Sequence, residues 1–389
     1  MIFIIDFKKS CMSFNINELS RQESRILVWS QRNLENFIFN SCLFEFEDVI
    51  NEVDVADIIS PPQYSYSGKL VKKLVKNSTQ YCKSIANLNP YFYPIYLEQE
   101  YDVFLTILDF PQNLSSINLL KNWRKKCQFS VCYLIEIWRK DLPKLKNFLE
   151  FFQDFDLICL GHSEIVDDVQ KIINRPCIYL PPGVNAVKFC PDLKTSQRSI
   201  NLLNLGRRSD VVHQALLELA EQKNFFYYYD YISGARQRSD RHQEHRTLIS
   251  NLLKSSRYFI TNYAKVNKLQ ETHGQREIGY RFFEGAAAGS VLLGCPPDNL
   301  AFKHYFDWDN AIIPIDFDEH NIVNIIDELD SQPELLKQIQ TDNVVNSLLR
   351  HDWVYRWEQV LRKLGMSLTP GIKKRQDKLK ELAQTYTKR

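Results

Sequence analysis

The densest chemistry in the chain lies in Glu277-Ile-Gly-Tyr-Arg281-Phe-Phe-Glu284-Gly-Ala-Ala-Ala-Gly289-Ser-Val-Leu-Leu-Gly294. A loop carrying an acid leads into a short helix of small residues and then an apolar strand. Arg281 and Glu284 stand three apart, so on a helix they share a face. Gly285, Ala286, Ala287, Ala288 and Gly289 allow close approach with no bulky side chain in the way. Nothing in the local sequence neutralises Glu284. An ionised carboxylate only accepts hydrogen bonds, so it needs a cation or hydroxyls beside it, and a sugar or ribose diol supplies hydroxyls. Guanidinium pairs bidentately with phosphate. The pattern predicts Arg281 on phosphate oxygens, Glu284 on ribose hydroxyls and Gly285 at the close approach. The plain alternative is an intrahelical salt bridge, worth about 0.3–0.5 kcal/mol if exposed.

Other candidates are placed by their position after strands, because open α/β sheets bind ligands at strand carboxyl ends. Arg207 follows the strand Ile200 to Leu205 through Gly206 and is a candidate phosphate contact, or simply a surface arginine beside Arg208. His162 follows Asp156 to Leu160 and is a candidate base or acceptor contact, or an ordinary histidine at a helix start. Glu277 is the second catalytic candidate, meeting a bound substrate or capping its loop. Gln31, Arg32 and Asn33 follow the first strand and are expected to face a bound substrate, which would be the acceptor in a group transfer. His242 and His245 sit three apart, as metal ligands can, but Arg241 and Arg246 flank them and would repel a cation. No metal site is expected.

These residues need a scaffold, and 389 residues are too many for one ordinary core, so two domains are expected. Apolar residues make up 44%, enough for two cores, and Lys plus Arg exceeds Asp plus Glu by 49 − 47 = 2. That balance gives no electrostatic case for nucleic acid. The nine cysteines are scattered without a Cys-x-x-Cys pair, as reduced thiols of a cytoplasmic protein would be. Met1 to Lys9 is too short and too interrupted for a signal segment, and Met12 is an alternative start.

Short apolar runs alternate with helical stretches almost throughout, which reads as α/β with parallel sheets. In the first half the strands are expected at Arg25–Ser30, Val53–Ile59, Val103–Leu108, Ser130–Ile135, Asp156–Leu160 and Cys177–Leu180. Ser163 is expected to cap the helix that follows the fifth. Pro181, Pro182 and Gly183 stop the alternation, which resumes at Ile200. Later strands are expected at Phe225–Tyr229, Tyr258–Thr261, Ser290–Leu293 and Ala311–Ile315. The run from Phe225 to Tyr231 reads as a buried strand, not a base-stacking platform. The end of the chain reads as helices, with one apolar face in His351 to Leu361 and a basic segment from Lys373 to Arg389. That segment offers a weak case for docking on an anionic membrane surface.

Glu284 and the small residues after it resemble the second half of the signature of two-Rossmann-domain (GT-B) glycosyltransferases. That signature is an acid, seven intervening residues, and then Glu-Ala-Met-Ala-Cys-Gly or similar. The first acid would fall at Arg276, and the nearest acid here is Glu277. Pro182, Gly183, Val184, Asn185, Phe189 and Pro191 resemble the passage between the two domains, and Gly206-Arg207 resembles the Gly-Arg of the donor domain. The lysine usual a few residues later is absent. Arg-Phe-Phe-Glu and the late Trp-Glu-Gln-Val-Leu bring the chain nearest to bacterial family-1-type, CgeB-like (spore-coat maturation) relatives.

The resemblance implies two Rossmann-like domains facing a cleft, with C-terminal helices crossing back. Residues 1–183 would form the acceptor domain, 184–198 the linker, 199–345 the donor domain and 346–389 the crossover. It implies metal-independent transfer of a sugar from a nucleoside diphosphate sugar, with no resident cofactor, to an acceptor hydroxyl that the sequence does not identify. Arg207, Arg281, Glu284 and Gly285 would hold the donor, and Glu277 and His162 would serve catalysis. A nucleotide-sugar epimerase and a non-catalytic donor-binding scaffold are the alternatives.

Overall fold

A computed structural model describes residues 24–34, 37–192, 198–230 and 241–388. The readings made on Met1 to Lys9, Met12, part of the 184–198 linker, Tyr231 and Arg389 lie outside the described residues.

Six parallel strands form the first sheet: β1 (Ile26–Trp29), β2 (Ala56–Ile59), β3 (Tyr101–Leu108), β4 (Cys127–Leu134), β5 (Leu157–Leu160) and β6 (Cys177–Tyr179). They lie in the order β2-β1-β3-β4-β5-β6, with Ile26 paired to Ala56 on one side and Val103 on the other. The second sheet is also parallel and contains β7 (Ile200–Asn204), β8 (Tyr227–Tyr229), β9 (Ser256–Ile260), β10 (Val291–Gly294) and β11 (Ile313–Pro314), in the order β11-β10-β9-β7-β8. Parallel strands need crossover helices, which cover both faces, so the strands read as continuous apolar runs rather than alternating ones. β1, β5 and β10 are buried at every position.

The expected strand positions hold to within a few residues, with two exceptions of consequence. Val53 and Asp54 close the helix Ser41–Asp54 rather than open β2. Ser163 does not cap the helix after β5, which starts at Val166, because its N–H and hydroxyl are engaged elsewhere.

The chain end closes the molecule. Helix Trp353–Lys363 lies against the passage between the sheets, where Trp353 covers Gly183 so closely that an added Cβ would strike its ring. Arg356 donates to the carbonyls of Pro181 and Pro182 at 3.1–3.2 Å, satisfying buried acceptors that lie outside either sheet. Helix Pro370–Thr387 then crosses back to the first half, where Thr369 Oγ1 donates to the Val53 carbonyl at 2.6 Å and Arg375 reaches Glu52 at 2.8 Å. Ile372, Leu379 and Ala383 are buried, so this helix turns its apolar face inward. With that face packed inward, the helix presents its exposed lysines, among them Lys373, Lys374 and Lys378, and not an apolar stripe to the outside.

Arg375 also holds the fully buried Asp352 with two bonds of 2.9 Å. Removing one partner of a buried pair leaves an uncompensated charge. Arg375→Met is therefore expected to lower stability by about 3–5 kcal/mol. The neighbouring exposed Lys373→Met should stay within about 0.5 kcal/mol of the parent. Urea unfolding of the three proteins checks both.

Candidate functional site

Glu284 sits on the short helix Tyr280–Ala287, which leads into β10. Gly285 faces Phe259 and Leu292, and a Cβ there would meet both side chains at 2.6 Å. The close approach read from the small residues is therefore between this helix and its own sheet. Glu284 is buried, and its neutralising partner comes from far along the chain. Arg246, on helix His242–Lys254, donates Nη1–H to one of its oxygens, and Arg281 donates to the other at 2.9 Å. Burial alone would raise the Glu284 pKa, but Arg246 first and Arg281 second outweigh it and hold it at about 2. Arg246 is itself bonded to both oxygens of Glu45, at 3.1 and 3.0 Å, from the first half of the molecule. Burial works against its charge, yet Glu45 and Glu284 together raise its pKa above the ordinary value.

This corrects the reading of Glu284 as an acid without a counter-charge, and the two histidines near it have different surroundings. His242 is bonded through Nε2 to Asp48 at 2.7 Å. His245 is pushed down to about 4 by burial and by Arg281, and its buried Nδ1 has no partner among the described residues. Arg32 is spent on Glu47 and Asp48, both at 2.8 Å, so it is not free to meet an acceptor as expected, whereas Gln31 donates to Ser116 at 3.1 Å and its buried Oε1 has no partner among the described residues.

Glu277 also differs from its expected role. It is fully buried, with one oxygen accepting from Ser163 N and Oγ at 2.7 and 3.0 Å and the other from Glu164 N and Gln275 at 3.1 and 2.8 Å. A carboxylate with both oxygens so occupied binds the two halves together and is not turned to a substrate. Gln275 assists by accepting from the Arg139 N–H at 2.9 Å.

The remaining candidates converge. A cavity of about 140 Å³ is lined by residues that follow strands of both sheets. Glu136 follows β4, His162 follows β5, Pro182 follows β6, Arg207 follows β7 and Lys265 follows β9. Gly279 and Tyr280, where the Glu284 helix begins, complete the wall. That helix has no side-chain cap, which leaves its first N–H groups available to an anion. His162 Nδ1 lies 2.9 Å from the Ile137 carbonyl, so Nδ1 is the donor there, and in the neutral ring Nε2 carries the lone pair. Arg207 makes no ion pair among the described residues, and Gly206 before it holds φ +90°. Lys265 spans the cavity to Glu136 at 3.0 Å and lies 4.3 Å from the Trp138 ring centre. Burial would raise the Glu136 pKa, but Lys265 and the Trp138 N–H outweigh it and lower it.

Sequence reading missed Glu136 and Lys265. Both stand just past strand ends, as His162 and Arg207 do, and that was the available signal. A larger hollow of about 380 Å³ lies at the amino ends of the first sheet, around Arg25 and Lys126, away from this chemistry. Among the described residues no cluster of His, Cys, Asp or Glu could hold a metal ion, and no helix is long and apolar enough to cross a membrane.

Residues 207–362 match a protein-family model described as glycosyl transferase-like. No curated protein matches. The fold is similar to that of Anabaena HepE solved in complex with UDP-glucose, at 10% identity and TM-score 0.51, covering 87% of this chain and 99% of that one. S. aureus TarM, solved with UDP, matches at 10% identity and TM-score 0.43 over 67% of this chain and 55% of that one. The glycosyltransferase of kitacinnamycin matches at 9% identity and TM-score 0.40, covering 87% and 98%.

The buried charges make two acid windows separable. His245 is held neutral in the fold, so the unfolded chain binds its proton first, and stability falls as pH drops from about 6.5 to about 4. Glu284, with its depressed pKa, contributes stability that is complete above about pH 4.5 and is lost as pH falls toward about 2. Urea midpoints measured against pH should flatten in the upper window for His245→Asn and in the lower one for Glu284→Gln. The second variant should also be less stable at pH 7 by about 3–5 kcal/mol, because Arg246 loses a partner.

Proposed function

We propose that this chain, a glycosyltransferase of the GT-B fold whose glycosyl transferase-like region spans residues 207–362, transfers a sugar from a nucleoside diphosphate sugar to an acceptor hydroxyl in the cleft between its two sheets. One observation carries the reading: groups suited to a diphosphate and a group suited to a proton line one cavity at the carboxyl ends of both sheets. The UDP-glucose bound by the structurally similar Anabaena protein makes a uridine donor the first to try.

Bond breaking at the sugar leaves charge on the departing diphosphate. Arg207, Lys265 and the open N–H groups at the start of helix Tyr280–Ala287 are the fixed positive groups available to stabilise it. Arg281 contributes from a half-exposed position while tied to Glu284. Glu284 can still receive ribose hydroxyls on its remaining lone pairs, with Arg246 holding its charge in place. His162 accepts the acceptor's proton at Nε2, and Glu136 stabilises the imidazolium so formed. In this reading Glu277 positions the cleft wall through Ser163 and Glu164. The first half of the chain takes the acceptor and the second the donor, divided within 184–198, and no metal is required.

A whole nucleoside diphosphate sugar exceeds a cavity of about 140 Å³, since pockets for ligands of that size measure roughly 300–1,000 Å³. Entry therefore widens the cleft, and the Lys265–Glu136 pair across it is the first contact to yield.

Calorimetric titration with UDP, GDP, ADP and TDP tests the donor. One nucleotide should bind saturably, and Arg207→Ala should weaken it by about tenfold to a hundredfold, the worth of a charge-assisted hydrogen bond. Binding of none, or of one unaffected by the substitution, refutes the assignment. With the donor known, His162→Asn should lower kcat by about 10²–10⁴-fold while nucleotide affinity stays within twofold. An equal loss in both would make His162 a structural residue.

A further inference from the structure

We propose that the outer face of helix Tyr66–Ser78 docks this protein on the surface of a bilayer rich in anionic lipid. Residues 58–97 contain five lysines, six tyrosines and no aspartate or glutamate, in a chain whose overall charge is nearly balanced. The helix rests on the first half of the molecule through Gly68 and Val75, its buried residues, with Gly68 set against the Pro90 carbonyl. The opposite face carries Tyr66, Leu70 and Leu74 in one row at four-residue spacing, 82%, 54% and 47% exposed. Lys69, Lys73 and Lys76 form the adjacent row and make no ion pair among the described residues. Lys72 is turned the other way, over the Tyr64 ring.

The patch continues beyond the helix. Tyr91 stacks on Tyr64 with ring centres 4.9 Å apart, which brings the following residues beside the helix start. Phe92 is 65% exposed and is held at φ +63°, a left-handed conformation that costs energy for a bulky side chain. Nine of the seventeen exposed large apolar side chains among the described residues fall between Tyr66 and Tyr96. Such a concentration marks an interaction surface.

The chemistry selects the occupant. An apolar row beside a lysine row is the arrangement of a helix lying in a membrane interface, where alkyl and aromatic groups enter the acyl boundary and ammonium groups meet lipid phosphates. Tyrosines favour the same depth, with an apolar ring and a wet hydroxyl. A nucleic-acid backbone would gain nothing from Leu70 and Leu74, and a second copy of the same positive patch would repel the first. This inference stands independently of sugar transfer.

Flotation of the full chain with vesicles tests it, using phosphatidylcholine alone and phosphatidylcholine with 30% phosphatidylglycerol, at 50 and 500 mM NaCl. The protein should float with the anionic vesicles at low salt only. Reversing three surface lysines (Lys69→Glu, Lys73→Glu, Lys76→Glu) should weaken binding by about a hundredfold or more. Leu70→Ser with Leu74→Ser should weaken it by about tenfold or more. Reversing Lys373 and Lys378 on the last helix should leave it unchanged. All these positions are exposed, and unaltered melting curves confirm that the variants fold. Failure of the parent to float, or flotation unaffected by either set of α-helical substitutions at 66–78, overturns the proposal. So does a dimer in sedimentation velocity that the leucine substitutions dissolve.

Discussion

The buried Arg246 guanidinium, held between Glu45 of one half and Glu284 of the other, is the contact on which the arrangement of the molecule depends. Three charges taken out of water are tolerable only if each finds opposite charge and its remaining hydrogen-bonding capacity is met. Here that condition is met from every side. Glu45 Oε2 also accepts from the Trp353 indole at 3.2 Å and from Asn185 N at 3.0 Å, while Arg281 completes Glu284. The Arg246 guanidinium additionally lies 4.7 Å from the Phe189 ring centre. First-half helix, linker, second-half helices and C-terminal helix therefore share one electrostatic knot. None can move away without leaving a charge unpaired.

Around the knot the apolar core is continuous rather than divided. Phe46 stacks on Trp353 at 4.6 Å, and Phe189, Phe283 and Trp357 are fully buried in the same cluster. The cleft on the far side is held differently. Its walls meet through Glu277 on Ser163 and Glu164, Gln275 on the Arg139 N–H, and Lys265 on Glu136. Polar contacts of this kind can exchange for water or ligand at low net cost, whereas apolar burial cannot. One side of the junction between the halves is therefore dry, and the side with the cavity is polar.

The strands were legible because parallel sheets covered on both faces require short unbroken apolar runs, and runs such as Ile26–Trp29 and Val291–Gly294 carry that pattern locally. The Pro-Pro-Gly passage announced the change of sheet for an equally local reason. Arg207 and His162 could be placed in the cleft from strand ends alone, since the topology of an open parallel sheet fixes where its loops gather. Glu136 and Lys265 obey the same rule and were overlooked among many charged residues of similar setting.

Partners were another matter. Glu284 looked uncompensated because Arg246 lies 38 residues away, and Glu277 looked free because three of its four hydrogen bonds come from Ser163 and Glu164, 114 and 113 residues away. By itself the sequence determined the α/β alternation, the position of the turn between sheets, the small-residue helix and the cleft-facing ends of strands, all properties of neighbouring residues. Only the tertiary structure decided which charges are spent on holding the halves together and which face the cavity. A buried charge takes its state from whatever lies within a few ångströms, and chain distance carries no information about that.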